Sequence, residues 1–155
     1  MIVSKRDSGF TFVPQYEHGA LAGTLAGHWG NERFAAPLLA PALRLAAAHH
    51  DDGWRELDDL PAYNSGAGRP AHFLELPLET TIPPYGRGVD RVYERDPLAG
   101  ALVAMHWTGL YWGRWGLQGS EPSDHPLARR VVAEQERRRA EVLLAVWRRR
   151  GGPRG

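Results

Sequence analysis

The chain has no cysteine among its 155 residues. That absence excludes disulfide bonds, thiolate zinc sites, iron–sulfur clusters and cysteine nucleophiles. Long apolar runs are lacking too, since no stretch of about 18 uninterrupted apolar residues occurs. The first nine residues contain no apolar core typical of a signal peptide. We therefore expect a cytoplasmic protein without a membrane segment, in which any metal ion is bound by histidine or carboxylate side chains.

Several common site motifs are also missing. The sequence has no phosphate-binding loop, dinucleotide fingerprint, nucleophile elbow or zincin motif. The net charge is only +1, although arginines gather near the C-terminus. Glu134, Glu136 and Glu141 interrupt that basic stretch, and no aromatic stacking pattern accompanies it. We therefore expect no nucleic-acid partner.

Length and composition indicate one globular domain. With 43% hydrophobic and 24% charged residues, the chain can bury a substantial core. We predict a single domain over residues 1–150 and a flexible tail over residues 151–155. Two β-prone runs, Ile2 to Lys5 and Phe10 to Val13, flank a short polar turn and predict an N-terminal β-hairpin. The rest predicts a mainly α protein, a compact helical bundle.

Apolar residues at helical spacing define the predicted bundle. They predict helices over residues 17–29, 38–50, 98–111 and 126–149. Asp96 followed by Pro97 is a typical helix start, an N-cap acid before a proline. Between Trp54 and Arg95, prolines and glycines interrupt the spacing, with brief helical possibilities only near residues 55–60 and 71–76. We interpret this region as a long functional loop.

The second predicted helix ends in the sequence His49-His50-Asp51-Asp52. Imidazole and carboxylate groups together suit divalent zinc, iron or manganese. Further histidines, His18 and His106, lie on two other predicted helices. We predict that His18, His50, Asp51 and His106 converge on one divalent metal ion. The alternative is that His50 only caps the last carbonyl groups of its helix, without a metal ion.

His50 and Asp51 are adjacent, so a regular helix cannot direct both toward one point. We therefore expect the helix to end or distort there, with Gly53 permitting the turn. His49 and Asp52 are second choices, either as ligands of another ion or as groups that orient the first ligands.

A metal ion at such a site would activate water for attack on a small anionic substrate. Asp51 and Asp52 are then the expected catalytic carboxylates. Arg87 and Arg91 are candidates for binding the anion, and Trp54 for lining the pocket. The alternative is that these arginines are solvent-exposed loop charges without a function, in line with the ordinary surface preference of arginine. Further tryptophans that could line the pocket or fill the core are Trp29, Trp107, Trp112 and Trp115.

Two resemblances follow from these residues. His18 and the later His50-Asp51-Asp52-Gly53 resemble the motif of the HD-domain superfamily of metal-dependent phosphohydrolases, with His106 best placed to fill the position of the final aspartate. That resemblance implies an HD-domain-like helical fold and hydrolysis. A nearly full-length resemblance is to the bacterial family called domain of unknown function 3891. It is carried by residues 15–18, 21–23, 28–30, 50–54 and 96–106. This family implies a shared constellation but no activity.

The sequence thus favours a metal-dependent, phosphohydrolase-like enzyme acting on a small anionic substrate. One alternative is a non-haem iron oxygenase, in which His28 or His49 helps to hold a second iron ion. The other is a non-catalytic module that binds a small molecule in a tryptophan-lined cavity.

Overall fold

The computed structural model describes residues 1–113 and 122–149. It begins with strands β1 (Ile2–Arg6) and β2 (Gly9–Val13), which pair antiparallel with Ile2 opposite Val13. This pairing confirms the predicted hairpin. The predicted tail at residues 151–155 and the candidate Trp115 lie outside the described residues.

Helices make up most of the remaining structure. They are α1 (Gln15–Gly27), α2 (Ala40–His49), α3 (Arg55–Asp58), α4 (Leu78–Arg95), α5 (Pro97–Tyr111) and α6 (Pro126–Arg149). Short 3₁₀ turns occur at Asp52–Trp54 and Phe73–Glu75, and strands β3 (Tyr63–Asn64) and β4 (Arg69–Pro70) form a second small hairpin. The protein is therefore mainly α, as the sequence predicts. Within the described ranges, no helix is both long and apolar enough to cross a membrane.

Helix α5 lies at the centre of the fold, because α2, α4 and α6 all pack against it. Asp96 caps α5, its carboxylate accepting a hydrogen bond of 2.8 Å from the Ala99 amide, and Pro97 occupies the first turn. Val103 and Trp107 on α5 and Val89 on α4 are almost fully buried between these helices. The predicted start of this helix is confirmed.

The segment over residues 78–95 differs from its prediction, because it is helix α4 and not a loop. Pro83 and Pro84 lie inside α4 and supply no backbone N–H. Local sequence preferences alone therefore argue against a helix here. The buried residues of α4 nevertheless follow helical spacing, at positions 81, 84, 85, 88, 89, 92 and 93. Packing of this face against α5 and the Asp52–Trp54 turn outweighs the local cost of the prolines.

Helices α1 and α2 approach closely because α1 presents glycines to α2. A Cβ atom built on Gly23 would lie 2.4 Å from the Ala48 Cβ, and one on Gly19 would lie 3.0 Å from the Ala48 carbonyl oxygen. The start of α1 is held from the other side, where the backbone N–H of Gln15 donates to the buried Asp58 carboxylate over 2.6 Å. Both contacts fix where the first turns of α1 lie.

Two helical Gly→Ala changes should have opposite effects on stability, because Gly23 lies in the close α1–α2 contact whereas Gly86 lies on α4 with room for a methyl group. Gly23→Ala should destabilise the protein by about 1–3 kcal/mol, because its methyl group overlaps Ala48. Gly86→Ala, whose methyl group would make an ordinary 3.6 Å contact with Trp107, should stabilise it by up to about 1 kcal/mol through helix propensity. Denaturant unfolding of both variants measures the difference, and equal stability would contradict the close packing.

Candidate metal centre

Side chains from three helices meet at one place. His18 on α1 and His50 and Asp51 at the end of α2 each offer a ligand atom, and these atoms lie within 4.8 Å of one another. The His18 and His50 ring centroids are 5.3 Å apart, and those of His50 and His106, on α5, are 4.8 Å apart. The structure thus brings together the ligand atoms of His18, His50 and Asp51. His106, the fourth predicted ligand, lies with its ring beside that of His50. We call His18, His50, Asp51 and His106 the histidine cluster.

The break in α2 is what allows His50 and Asp51 to share this cluster. The last residue of α2 is His49, His50 keeps helical dihedral angles, and Asp51 departs from them with φ −114° and ψ 14°. The expected end of the helix is confirmed. Gly53 has a different role from the one predicted, because its φ is not positive. It allows α4 to approach, since a Cβ there would lie 2.4 Å from the Tyr85 Cα.

His50 is oriented by the backbone of its own helix. Its Nδ1 lies 2.8 Å from the Ala47 carbonyl oxygen and therefore carries the proton of that hydrogen bond. In the neutral ring this leaves Nε2 with a lone pair, 3.3 Å from Asp51 Oδ2. Burial lowers the pKa of His50, but the hydrogen bond and the negative charge of Asp51 outweigh it, so the pKa is raised overall.

His106 has the opposite protonation tendency. Burial is the main cause that lowers its pKa to about 4, and the neighbouring His50 and His18 lower it further against the influence of Asp51. At neutral pH the His106 ring is therefore uncharged. A neutral imidazole is the form in which histidine binds metal ions.

Asp51 is held by a residue that the sequence analysis did not single out, Tyr85 on α4. The Tyr85 hydroxyl lies 3.1 Å from Asp51 Oδ1 and 2.9 Å from the His50 carbonyl oxygen. Burial, and then the charge of Asp51, raise the pKa of Tyr85 well above its usual range, so the hydroxyl remains a donor. The Tyr85 ring stacks on Trp107 with centroids 5.0 Å apart. The helical spacing of residues 81, 85, 88 and 92 is the sequence pattern that could have identified Tyr85 as a buried residue of a helix.

His49 and Asp52 form a pair of their own beside the cluster. His49 Nδ1 donates to Asp52 Oδ2 over 2.7 Å, and Arg95 donates to His49 Nε2 over 2.9 Å. Both ring nitrogens of His49 are therefore engaged. His28, the other histidine considered for a second iron ion, is exposed, and its Nδ1 bonds to the Thr24 carbonyl oxygen over 2.8 Å. These contacts give no support to a second metal position.

The two predicted anion-binding arginines lie on α4 and face a carboxylate of the protein. Arg87 pairs with Glu56 over 2.6 Å, and Arg91 lies 3.9 Å from the same side chain. Arg91 also donates to the Asp52 carbonyl oxygen over 3.3 Å, which places it against the chain segment of the cluster. An anionic substrate would have to compete with Glu56 for both guanidinium groups.

Trp54 packs against Tyr85, the residue that holds Asp51. Only 6% of it is exposed, and its ring contacts those of Phe73 and Tyr85 with centroids 5.6 and 6.0 Å apart. Trp107 is likewise buried in the core, whereas Trp29 is largely exposed. The described tryptophans therefore do not enclose the histidines as one pocket.

Comparison with known proteins identifies a family. A family described as Protein of unknown function (DUF3891) matches residues 1–149, from the hairpin through α6. The match spans every residue of the histidine cluster and Tyr85. No curated protein and no solved structure matches the chain.

The support of Asp51 by Tyr85 predicts a measurable loss of stability. Tyr85→Phe keeps the stacked ring but leaves buried acceptors at Asp51 and His50 without their donor, which should cost about 1–3 kcal/mol. Tyr93→Phe is the matched control, because the Tyr93 hydroxyl is buried and makes no hydrogen bond among the described residues. Denaturant unfolding should show little loss for the control, and similar losses in both variants would contradict the assigned role.

Proposed function

The chain belongs to the DUF3891 family of unknown function, and we propose that it binds a divalent metal ion at the histidine cluster and hydrolyses a small anionic substrate there. The observation that carries the proposal is the convergence of His18, His50 and Asp51, whose ligand atoms lie within 4.8 Å of one another at the end of α2.

The distances between these atoms suit a metal ion. Bonds of about 2.0–2.2 Å in tetrahedral geometry place neighbouring ligand atoms roughly 3.3–3.6 Å apart. His50 Nε2 and Asp51 Oδ2 are already 3.3 Å apart. His18 is exposed on α1, and the proposal requires its side chain to rotate so that its ligand nitrogen comes closer than the present distance of up to 4.8 Å. His106, neutral at pH 7, is the proposed fourth ligand.

The groups behind the ligands are those that metal ligands normally have. A metal-binding imidazole usually donates its other N–H to a carbonyl or carboxylate, and ligating carboxylates are themselves hydrogen-bonded. Ala47 supplies the carbonyl for His50, and Tyr85 supplies the hydroxyl for Asp51. The capping interaction of His50 therefore agrees with metal binding as well as with the metal-free alternative.

When bound, a divalent ion supplies a water molecule with a pKa lowered toward about 7. We assign the proton acceptor to Asp52, whose Oδ2 is held by His49 and whose Oδ1 accepts the proton. Arg91, in contact with the Asp52 backbone, is the proposed partner of the substrate anion once it releases Glu56. The motif resemblance to HD-domain phosphohydrolases is the second support for hydrolysis.

One observation favours a second candidate, a non-haem iron oxygenase. Two histidines and one carboxylate, as in His18, His50 and Asp51, are the ligand set that such enzymes use to hold iron(II) with open positions. The identity of the bound metal separates the two candidates.

Metal content tests the site directly. Protein purified without an affinity tag and loaded with zinc, iron or manganese should retain one ion per chain after dialysis, measured by elemental analysis. His50→Ala and Asp51→Ala should lose it, because each removes a ligand. His28→Ala, a change at an exposed histidine just after α1, should keep it. If the wild type retains no ion, the proposed metal site is contradicted and the alternative of a metal-free binding module is favoured.

The role of Asp52 predicts a separate effect on rate. In metal-loaded protein, Asp52→Asn should lower kcat for p-nitrophenyl phosphate by about 10²–10⁴-fold, the usual contribution of a general base. The metal content should stay unchanged. Asp59→Asn, at an exposed carboxylate just after α3, should leave kcat unaltered. An unchanged rate in Asp52→Asn, or loss of its metal, would contradict the assignment.

A further inference from the structure

An open groove between α1, α2 and α5 runs up to the histidine cluster. Its apolar wall includes Ala22, Leu43, Ala47, Leu102 and Met105. His50 and His106 complete the lining. The cavity volume is about 280 Å³, close to the lower end of the roughly 300–1,000 Å³ of small-molecule sites.

The chemistry of the groove is almost entirely apolar. No Asp, Glu, Lys or Arg is among the described residues that line it, and its only side chains with a polar ring are those of His50 and His106. Leu43, Leu102 and Met105 are only partly buried, so their apolar surface faces solvent. Covering such surface with an apolar ligand is favourable.

The two imidazoles lie at one end of the groove, because each follows an apolar lining residue along its helix. His106 follows Leu102 by one turn of α5, and His50 follows Ala46 by one turn of α2. The two imidazoles, with ring centroids 4.8 Å apart, therefore lie together at one end. A ligand in the groove would have one end at the histidines and the rest along leucine, methionine and alanine side chains.

We propose that this groove binds the alkyl chain of an anionic ester, whose ester group lies at His50 and His106. The inference rests on the proposed function for the reaction and adds the substrate class, an alkyl phosphate. In the hydrolysis, a water oxygen bonds to phosphorus and the bond from phosphorus to the alkyl oxygen breaks. The proton lost by water ends on the leaving alkoxide, which gives an alcohol and inorganic phosphate.

A second apolar cavity does not serve this purpose. It lies beside Trp54, Phe73, Leu76 and Tyr111 and contains no residue of the histidine cluster. The expected tryptophan-lined pocket is thus distinct from the groove that reaches the proposed ligands.

Binding of inert analogues tests the inference without turnover. Isothermal titration compares hexylphosphonate with methylphosphonate on both zinc-loaded and metal-free protein. Each fully buried methylene strengthens binding about fourfold. Because the groove is open and buries the chain only in part, we expect hexylphosphonate to bind at least about 30-fold more tightly.

Two groove variants and two matched controls locate the effect. Ala22→Phe fills the groove and Leu43→Gln makes its wall polar, so each should reduce the preference for the hexyl chain to less than about threefold. Ala20→Phe and Leu25→Gln place the same side chains on exposed positions of α1 and should keep the preference.

The outcomes separate the groove from the proposed function. A metal-loaded protein that binds both phosphonates equally would overturn the groove while leaving metal binding intact. A chain-length preference that the control variants lose as strongly as the groove variants would also overturn it. A preference sensitive only to Ala22→Phe and Leu43→Gln, in a protein that retains no metal, would support the groove and refute the proposed function.

Discussion

The close approach of α1 to α2 determines where the histidine cluster can form. Gly19 and Gly23 contribute no side chain to the contact between the two helices, so Ala48 of α2 packs directly against α1. His18 lies next to Gly19, and His50 lies just beyond Ala48, so the same contact brings their rings to 5.3 Å. A larger residue in this contact would move the helices apart and separate a solvent-exposed imidazole from a half-buried one.

A second close contact fixes the carboxylate. Gly53 and Gly88 allow α4 to lie directly on the 3₁₀ turn after α2, since a Cβ on Gly88 would lie 2.5 Å from the Gly53 nitrogen. Tyr85, one turn earlier on α4, is thereby brought to Asp51. Trp107, a core residue, stacks on the Tyr85 ring, so Tyr85 connects the hydrophobic core to the histidine cluster. Packing and polar geometry are therefore coupled at the same residues.

Burying several ionisable side chains together, as in the histidine cluster, adds little to the stability of the fold. Burial lowers the pKa of His106 to about 4, while Asp51 raises that of His50. Perturbed groups of this kind gather at functional sites, because their polar atoms serve ligands as well as the fold. The groove beside them has no charged side chain in its wall, so the ligand that we propose for it is held by apolar contacts.

The sequence by itself determined the hairpin and the start of α5 at Asp96, because alternation and capping are local properties. It also singled out His18, His50 and Asp51, whose ligand atoms the structure brings within 4.8 Å of one another. It did not reveal α4, since Pro83 and Pro84 oppose a helix locally and only burial against α5 compensates. The role of Tyr85, the pairing of Arg87 with Glu56 and the groove between three helices were decided by tertiary structure alone. Each joins residues distant in the chain, and their distances follow from packing.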